Sequence, residues 1–368
     1  MSKKDRVVVA MSGGVDSSVA AGLLLQSGCE VTGVFMHLGC MTSRYDTGLA
    51  DDADEKVFHV REAASHLGIE LEVLDLQEGL EHIIDYFVDE YRHGRTPNPC
   101  VMCNRQLKFG KLMDYALERG ADYFATGHYA QIRTILDDND KKQLCRGTDK
   151  TKDQSYALFD IARDRLDKII LPLGEYTKKQ VMELAEQMNL PAVEQGESQE
   201  ICFVPDDDYT RLVVAKAPDL SRPGLVVNTS GETLGEHQGV FRYTIGQRRG
   251  LGIALGEPAY VVGLDATSNT VVLGSREELL RQRLWADRVN WLVDPIPTEP
   301  FAAIIQIRYN HRGAAGTVTP LADENGRCNR VMVDFNEPIS AITPGQAAVF
   351  YSEDDRVLLG GGWIESSP

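Results

Sequence analysis

Short apolar runs alternate with amphipathic segments through the first two hundred residues. VVVAM (7–11) reads as a buried strand, followed by a Gly turn and the apolar helix SVAAGLLLQSG. EVTGVFM (30–36) and LEVLDL (71–76) predict two more strands, and ADYFATGHYA (121–130) a fourth that runs into a turn. Between them, 55–68, 79–94 and 104–120 carry helical spacing, the first closing on Gly68 and the last on Gly120. Strands that alternate with helices imply a parallel sheet covered on both faces. The stretch 37–54 has no period and reads as a mobile loop over whatever the sheet binds.

The rhythm changes after about residue 215. PAYVVGLD, TVVLG, FAAIIQIRYN, RVMVDF and AAVFYS are short β-rich runs separated by turn residues, which predicts one or two small antiparallel β domains. SREELLRQRLW (275–285) reads as a helix interrupting them. The expected division is 1–215, 216–284 and 285–368. The whole is an α/β parallel-sheet domain followed by two small β-rich domains.

Composition narrows the class. The chain of 368 residues is 43% apolar and 25% charged, which are globular values. Its apolar runs reach only five residues, as at 7–11, whereas a bilayer span needs about 20. The N-terminal apolar stretch is too short for a signal peptide, so a cytoplasmic location with no membrane partner is expected. Seven cysteines without an export signal point to reactive or metal-binding thiols rather than a disulfide scaffold. The net charge of −17 argues against a nucleic-acid partner until its distribution is seen. The acidic excess concentrates in 51–90, whereas 91–119 and 141–152 are locally basic, and Arg242, Arg248 and Arg249 form another island. Screening confines charge effects to about 10 Å, so such islands can still hold RNA.

The strongest chemical signal is Ser12-Gly13-Gly14-Val15-Asp16-Ser17-Ser18, between a buried strand and a helix. A Gly-rich turn there exposes N–H groups, and the helix start adds positive potential, which suits phosphate. Ser17 and Ser18 offer hydroxyl donors, and Asp16 a helix cap or a magnesium ligand. No lysine follows the glycines, which argues against ordinary γ-phosphoryl transfer. SGGVDS in this placement resembles the pyrophosphatase loop of the N-type ATP-pyrophosphatases, which cleave ATP between its α- and β-phosphates.

Three cysteines stand out. Cys100 and Cys103 lie in TPNPCVMCN (96–104), where two prolines predict an irregular loop leading into a basic helix. Nearby Arg and Lys would lower a thiol pKa. Cys202 lies in ESQEICF (197–203). A structural zinc site lacks its second pair here. Three thiols suit an iron–sulfur cluster with one open position, or sulfur transfer in which one thiol carries a persulfide and another resolves it. Cys29, Cys40, Cys145 and Cys328 read as inert. His128 fits an RNA contact, a proton transfer or a buried structural imidazole. An adenylating ligase for a small carboxylate would share the Gly loop, but it leaves the cysteines and the β-rich half unexplained.

SGGVDSS, TPNPCVMCNRQLKFG, ATGHYA, KDQSYAL, GESQEICFVP and YTIGQRRGLGI, in that order, resemble the bacterial tRNA-specific 2-thiouridylase family over essentially the whole chain. The resemblance implies an ATP-pyrophosphatase domain, a central β domain and a C-terminal β-barrel. It implies exchange of the 2-oxygen for sulfur in the wobble uridine of the tRNAs for Lys, Glu and Gln, driven by ATP with Mg2+. Ala10, Met11, Ser12, Gly13, Gly14, Val15, Asp16 and Ser17 would hold ATP, with Met36 and Gly127 lining its adenine and ribose pocket. Cys202 would carry a persulfide, supplied by a sulfur-relay protein or a cysteine desulfurase, and Cys103 would resolve it. Asn98, Pro99 and Cys100 would meet the target base. His128, Lys152, Asp153, Gln154, Arg308, Tyr309 and Gln346 would contact tRNA. Many members carry Asp where Cys100 stands. The third thiol makes Cys100, Cys103 and Cys202 a candidate ligand set for a 4Fe–4S cluster.

Overall fold

The computed structural model describes residues 4–39, 53–135, 141–191, 201–204, 208–253 and 258–366. The expected loop at 37–54 and the ESQE part of the Cys202 motif therefore lie largely outside the described residues. Contacts gather the chain into two units. One takes the described parts of 1–82, 100–199 and 356–359, and the other those of 83–99, 200–355 and 360–368.

The first unit holds a five-stranded parallel sheet. β1 (Arg6–Met11) leads through the Gly loop to α1 (Val15–Gln26). β2 (Glu30–His37), α2 (Ala53–Leu67) and β3 (Glu70–Asp75) follow, and α3 (Gln77–Arg92) leaves the unit along its length. α4 (Pro99–Cys103) runs on through wide turns over Asn104–Leu112 to α5 (Met113–Glu118). Next come β4 (Tyr123–Thr126), the hairpin β5 (Ala130–Thr134) with β6 (Lys142–Arg146), the short β7 (Ile169–Ile170) and α6 (Lys178–Gln187). The strand order is β3-β2-β1-β4-β7. Val7, Val9, Met11, Ala21, Val31, Phe35, Val60 and Ala125 pack into one core, as the continuous apolar runs of a doubly covered sheet require. Successive strands step outward from β1 in both directions. The order reverses between β1 and β4, where open α/β sheets bind ligands.

The expected helix over 104–120 begins earlier and is broken. Pro99 starts it, its fixed φ being compatible with a first helical turn, so Cys100 and Cys103 are helical rather than in an irregular loop. Gly110 kinks it at φ −98°, ψ −109°. A Cβ there would lie 2.9 Å from the carbonyl oxygen of Arg105.

The second unit contains α7 (Tyr209–Lys216), a four-stranded sheet and a closed barrel. The sheet is built from β8 (Gly224–Asn228), β9 (Thr233–His237), β10 (Tyr260–Asp265) and β11 (Thr270–Gly274), in the order β10-β11-β8-β9. It is mixed rather than antiparallel, because β11 lies parallel to β8. The barrel comprises β12 (Leu280–Trp291), β13 (Phe301–Gln306), β14 (Ala314–Leu321), β15 (Arg330–Ser340), β16 (Ala347–Tyr351) and β17 (Leu358–Ser366). The expected helix at 275–285 is not there. One tight turn over Glu277–Leu279 is followed by β12. Leu284 and Ala286 alternate into the barrel core, and Arg283 meets Asp334 of β15 at 2.6 Å. Pairing with two neighbours overrides the local helical spacing.

Candidate active site

The Gly loop is folded on itself. Gly13 takes φ +82°, and a Cβ there would lie 3.3 Å from the Val60 nitrogen, so both conformation and space call for glycine. Ser17 Oγ accepts from the Ser12 N–H at 3.1 Å and donates to the Gly14 carbonyl at 3.1 Å. Ser18 Oγ donates to the same carbonyl at 3.0 Å. Both hydroxyls thus shape the loop, and the first backbone N–H groups of α1, which have no intrahelical acceptor, are the donors suited to an anion there.

Strand register assembles the expected nucleotide residues. Met11 pairs with Phe35 and Ala10 with Thr126, so Met36 and Gly127 stand beside the loop at the carboxyl ends of β2 and β4. A Cβ on Gly127 would come within 2.9 Å of the Ser17 nitrogen. Gly127→Ala should therefore push the loop aside and weaken ATP binding by about tenfold, roughly 1.4 kcal/mol, without unfolding the protein. Calorimetric titration with ATP checks this, and an unchanged affinity would separate Gly127 from the site.

Asp16 is the second residue of α1, and its Oδ1 accepts from two distant donors. Tyr129 Oη and Lys178 Nζ each lie 2.8 Å away. Sequence reasoning missed both. Tyr129 was within reach as a neighbour of His128, but Lys178 is 162 positions from Asp16 and carries no local signal.

Cys100 has an exposed face and Cys103 is half-buried, three residues apart on one side of α4. Burial of the surroundings pushes both thiols above their ordinary value, opposed by the positive charge of Lys108. The expected lowering of the thiol pKa is reversed, because desolvation of a thiolate outweighs one nearby ammonium. Lys108→Met should raise Cys103 further and slow its alkylation by iodoacetamide at pH 8 by about threefold. Peptide mapping by mass spectrometry reads the rate, and an equal or faster rate would discard the role given to Lys108.

Cys202 is exposed, in a turn closed by the Val204 N–H donating to the Ile201 carbonyl at 2.7 Å. Phe203 anchors that turn against Phe87 of α3, their rings 5.5 Å apart. Among the described residues, no group of three or more His, Cys, Asp or Glu is gathered to hold a metal ion.

The expected tRNA residues divide. Tyr309 is 47% exposed. Arg308 reaches the carbonyls of Ser340 and Ala341 at 3.4 and 3.3 Å. Gln346 Nε2 donates to the carbonyls of Thr96 and Pro97 at 3.1 and 3.0 Å, and the Thr96 N–H donates to the Pro344 carbonyl. The side chain thus braces the segment that ends in Asn98 and Pro99. Lys152 is half-buried, whereas Asp153 is 7% exposed and turned inward to Arg146, Gly147 and Ser155. Gln154 bonds both backbone groups of Tyr129. His128 is buried beside Phe109 and Thr126, and desolvation, with Lys108 adding to it, holds its pKa well below the usual range. It is a neutral imidazole in the interior. Arg92, Arg95 and Arg105 of the basic island pair with Asp219, Glu90 and Asp160.

Three family descriptions match the chain in succession. They are a tRNA methyl transferase HUP domain over 5–206, a tRNA methyl transferase PRC-barrel domain over 216–275, and an aminomethyltransferase beta-barrel domain over 281–364. The tRNA-specific 2-thiouridylase MnmA of Carboxydothermus hydrogenoformans is 47% identical, covering 98% of each chain. That of Syntrophotalea carbinolica is 45% identical over 98% of this chain and 99% of its own. The solved U34-tRNA thiolase NcsA from Methanococcus maripaludis with its 4Fe–4S cluster overlaps 59% of this chain and 72% of its own. Its TM-score is 0.33 and its identity 15%.

Proposed function

The chain belongs to the tRNA-specific 2-thiouridylase family and is a tRNA sulfurtransferase, and on that premise we propose how its residues do the work. The substrate is the wobble uridine (position 34) of the tRNAs for Lys, Glu and Gln. The products are 2-thiouridine, AMP and pyrophosphate. The observation that carries this reading is the Gly loop at the β1/β4 reversal, with Gly127 against it and Asp16 fixed at its mouth.

A uracil carbonyl oxygen is a poor leaving group. Attack of O2 on the α-phosphorus of ATP breaks the bond to pyrophosphate and makes that oxygen part of an adenylate. Backbone N–H groups at the start of α1 stabilise the departing charge. Asp16 is the residue that would hold Mg2+, since one carboxylate with substrate phosphates is its usual ligand set, and the ion would supply further charge neutralisation there.

The outer sulfur of a Cys202 persulfide then bonds to C2, and AMP leaves with the oxygen. Cys103, as thiolate, attacks the Cys202 sulfur. That breaks the S–S bond, releases the thiocarbonyl and leaves a disulfide for an external thiol to reduce. This chemistry requires the two thiols to meet during the cycle. The sulfur reaches Cys202 from a relay protein or a cysteine desulfurase. No step is routed through a 4Fe–4S cluster.

A single-stranded loop base flips at modest cost, a few kcal/mol, into such a site. Asn98, Pro99 and Cys100 would receive it, with Tyr309, Arg308 and Lys152 on the surrounding RNA. His128, Asp153, Gln154 and Gln346 would act from behind, shaping the segments that touch RNA. We assign the work to domains 1–215, 216–284 and 285–368, in the cytoplasm. No helix among the described residues is long and apolar enough to cross a membrane.

Incubation of unmodified tRNA with ATP, magnesium, a cysteine desulfurase with cysteine as persulfide donor, and a thiol reductant, followed by nucleoside analysis, tests the reading. One 2-thiouridine per AMP is expected. Thiolation without AMP, or AMP without thiolation, would overturn it.

A further inference from the structure

We propose that Lys178 is the phosphate-binding cation of the nucleotide site, supplied from α6 because the Gly loop has none of its own. The inference rests on the ATP reading above and adds a residue to it. Ser12 to Ser18 contains no positive side chain, yet the pyrophosphate to be expelled carries several negative charges. A helix start offers only about half a unit charge against them. Lys178 brings a full charge to that place: its Nζ lies 2.8 Å from the carboxylate of the second residue of α1.

The position is built in. Thr177 and Gln180 form a capping box at the start of α6, and the Lys178 N–H donates to Asp149 Oδ2 at 3.0 Å. Val181 and Ala185 of α6 pack on Val19 and Ala20 of α1, so the core sets the distance between the two helix starts. The next residue marks the contrast. Lys179 is 87% exposed and pairs along its own helix with Glu183, whereas Lys178 is 22% exposed and crosses to the loop. A partly buried ion pair adds little net stability, so fold stability alone gives no reason for a lysine held across the mouth of the loop. Lys178 pairs with Asp16 in this structure. With nucleotide bound, its ammonium turns to the β- and γ-phosphate oxygens, a point charge suited to phosphate, and Asp16 is left as the residue for the metal ion.

The test uses the full chain and two nucleotides, titrated calorimetrically in magnesium. One is the ATP analogue with a methylene group between its α- and β-phosphates, and the other is AMP. Lys178→Ala should weaken the analogue by at least about tenfold while changing AMP less than twofold, because only the analogue carries the outer phosphates. Lys178→Arg should restore most of the loss. Lys178→Gln, which can still bond Asp16 Oδ1, should behave like Lys178→Ala, and it serves as well if the alanine variant does not fold. Unchanged affinity for the analogue, equal losses for both nucleotides, or full rescue by Lys178→Gln would overturn the inference. A wild-type chain that binds neither nucleotide would overturn the ATP reading itself.

Discussion

Serine in place of Cys103 is expected to lower 2-thiouridine formation by about a thousandfold or more while leaving ATP affinity within about twofold. Oxygen cannot take the place of sulfur in breaking a persulfide, because an alcohol stays protonated where a thiol ionises. Cys103 lies on α4, outside the loop that Ser12 and Ser17 close, so nucleotide binding has no reason to suffer. Cys202→Ser should be as severe, since it removes the atom that carries the sulfur. Cys100→Ser is the informative companion. The persulfide route leaves Cys100 without chemistry, so this variant should keep activity within about tenfold. Nucleoside analysis of tRNA after a fixed incubation reads all three. Product retained by Cys103→Ser would take Cys103 out of the sulfur chemistry, and loss with Cys100→Ser would bring the three-thiol cluster back.

The second large effect belongs to Asp16. Asp16→Asn should cut tRNA-dependent AMP release by about a hundredfold or more, with tRNA affinity unchanged. Asparagine keeps an oxygen for Tyr129 Oη and Lys178 Nζ, so the local geometry survives and only the charge is lost. Removing the whole side chain would instead leave a partly buried ammonium without its carboxylate, and stability would fall together with catalysis. Quantifying AMP against an unfolding midpoint separates the two. Undiminished AMP from a folded Asp16→Asn variant would end the metal-holding role.

The strand, Gly loop and helix from Arg6 to Gln26 were legible because each element is locally determined: a buried apolar run, a glycine at positive φ and an apolar helix. The parallel sheet followed from the alternation of elements. What escaped was set by distance in the chain. Lys178 and Tyr129 reach Asp16 only through packing of α6 and the β4 turn on α1. The segment 275–285 has helical spacing, yet β12 lies between two barrel partners that local pattern does not reveal. The cysteine pair misled in a different way. Nearby basic residues promised acidic thiols, and the protein packed around Cys103 reversed the sign. Likewise Asp153 and Gln346 are polar residues in a promising motif or position whose bonds turn out to be internal.

The brace between Gln346 and the Thr96–Pro97 carbonyls makes residues 1–215 a poor candidate for excision. A fragment ending near residue 215 would keep the Gly loop and all three cysteines of interest. The strap entering Cys100, however, would give its carbonyls to water instead of to an amide from the barrel. Gly345 tightens the same junction, since a Cβ there would stand 2.8 Å from the Thr96 oxygen. Chimeras that exchange barrels between relatives would accordingly have to carry residues 95–99 along with 344–346, or the cysteine helix would inherit a mismatched tether.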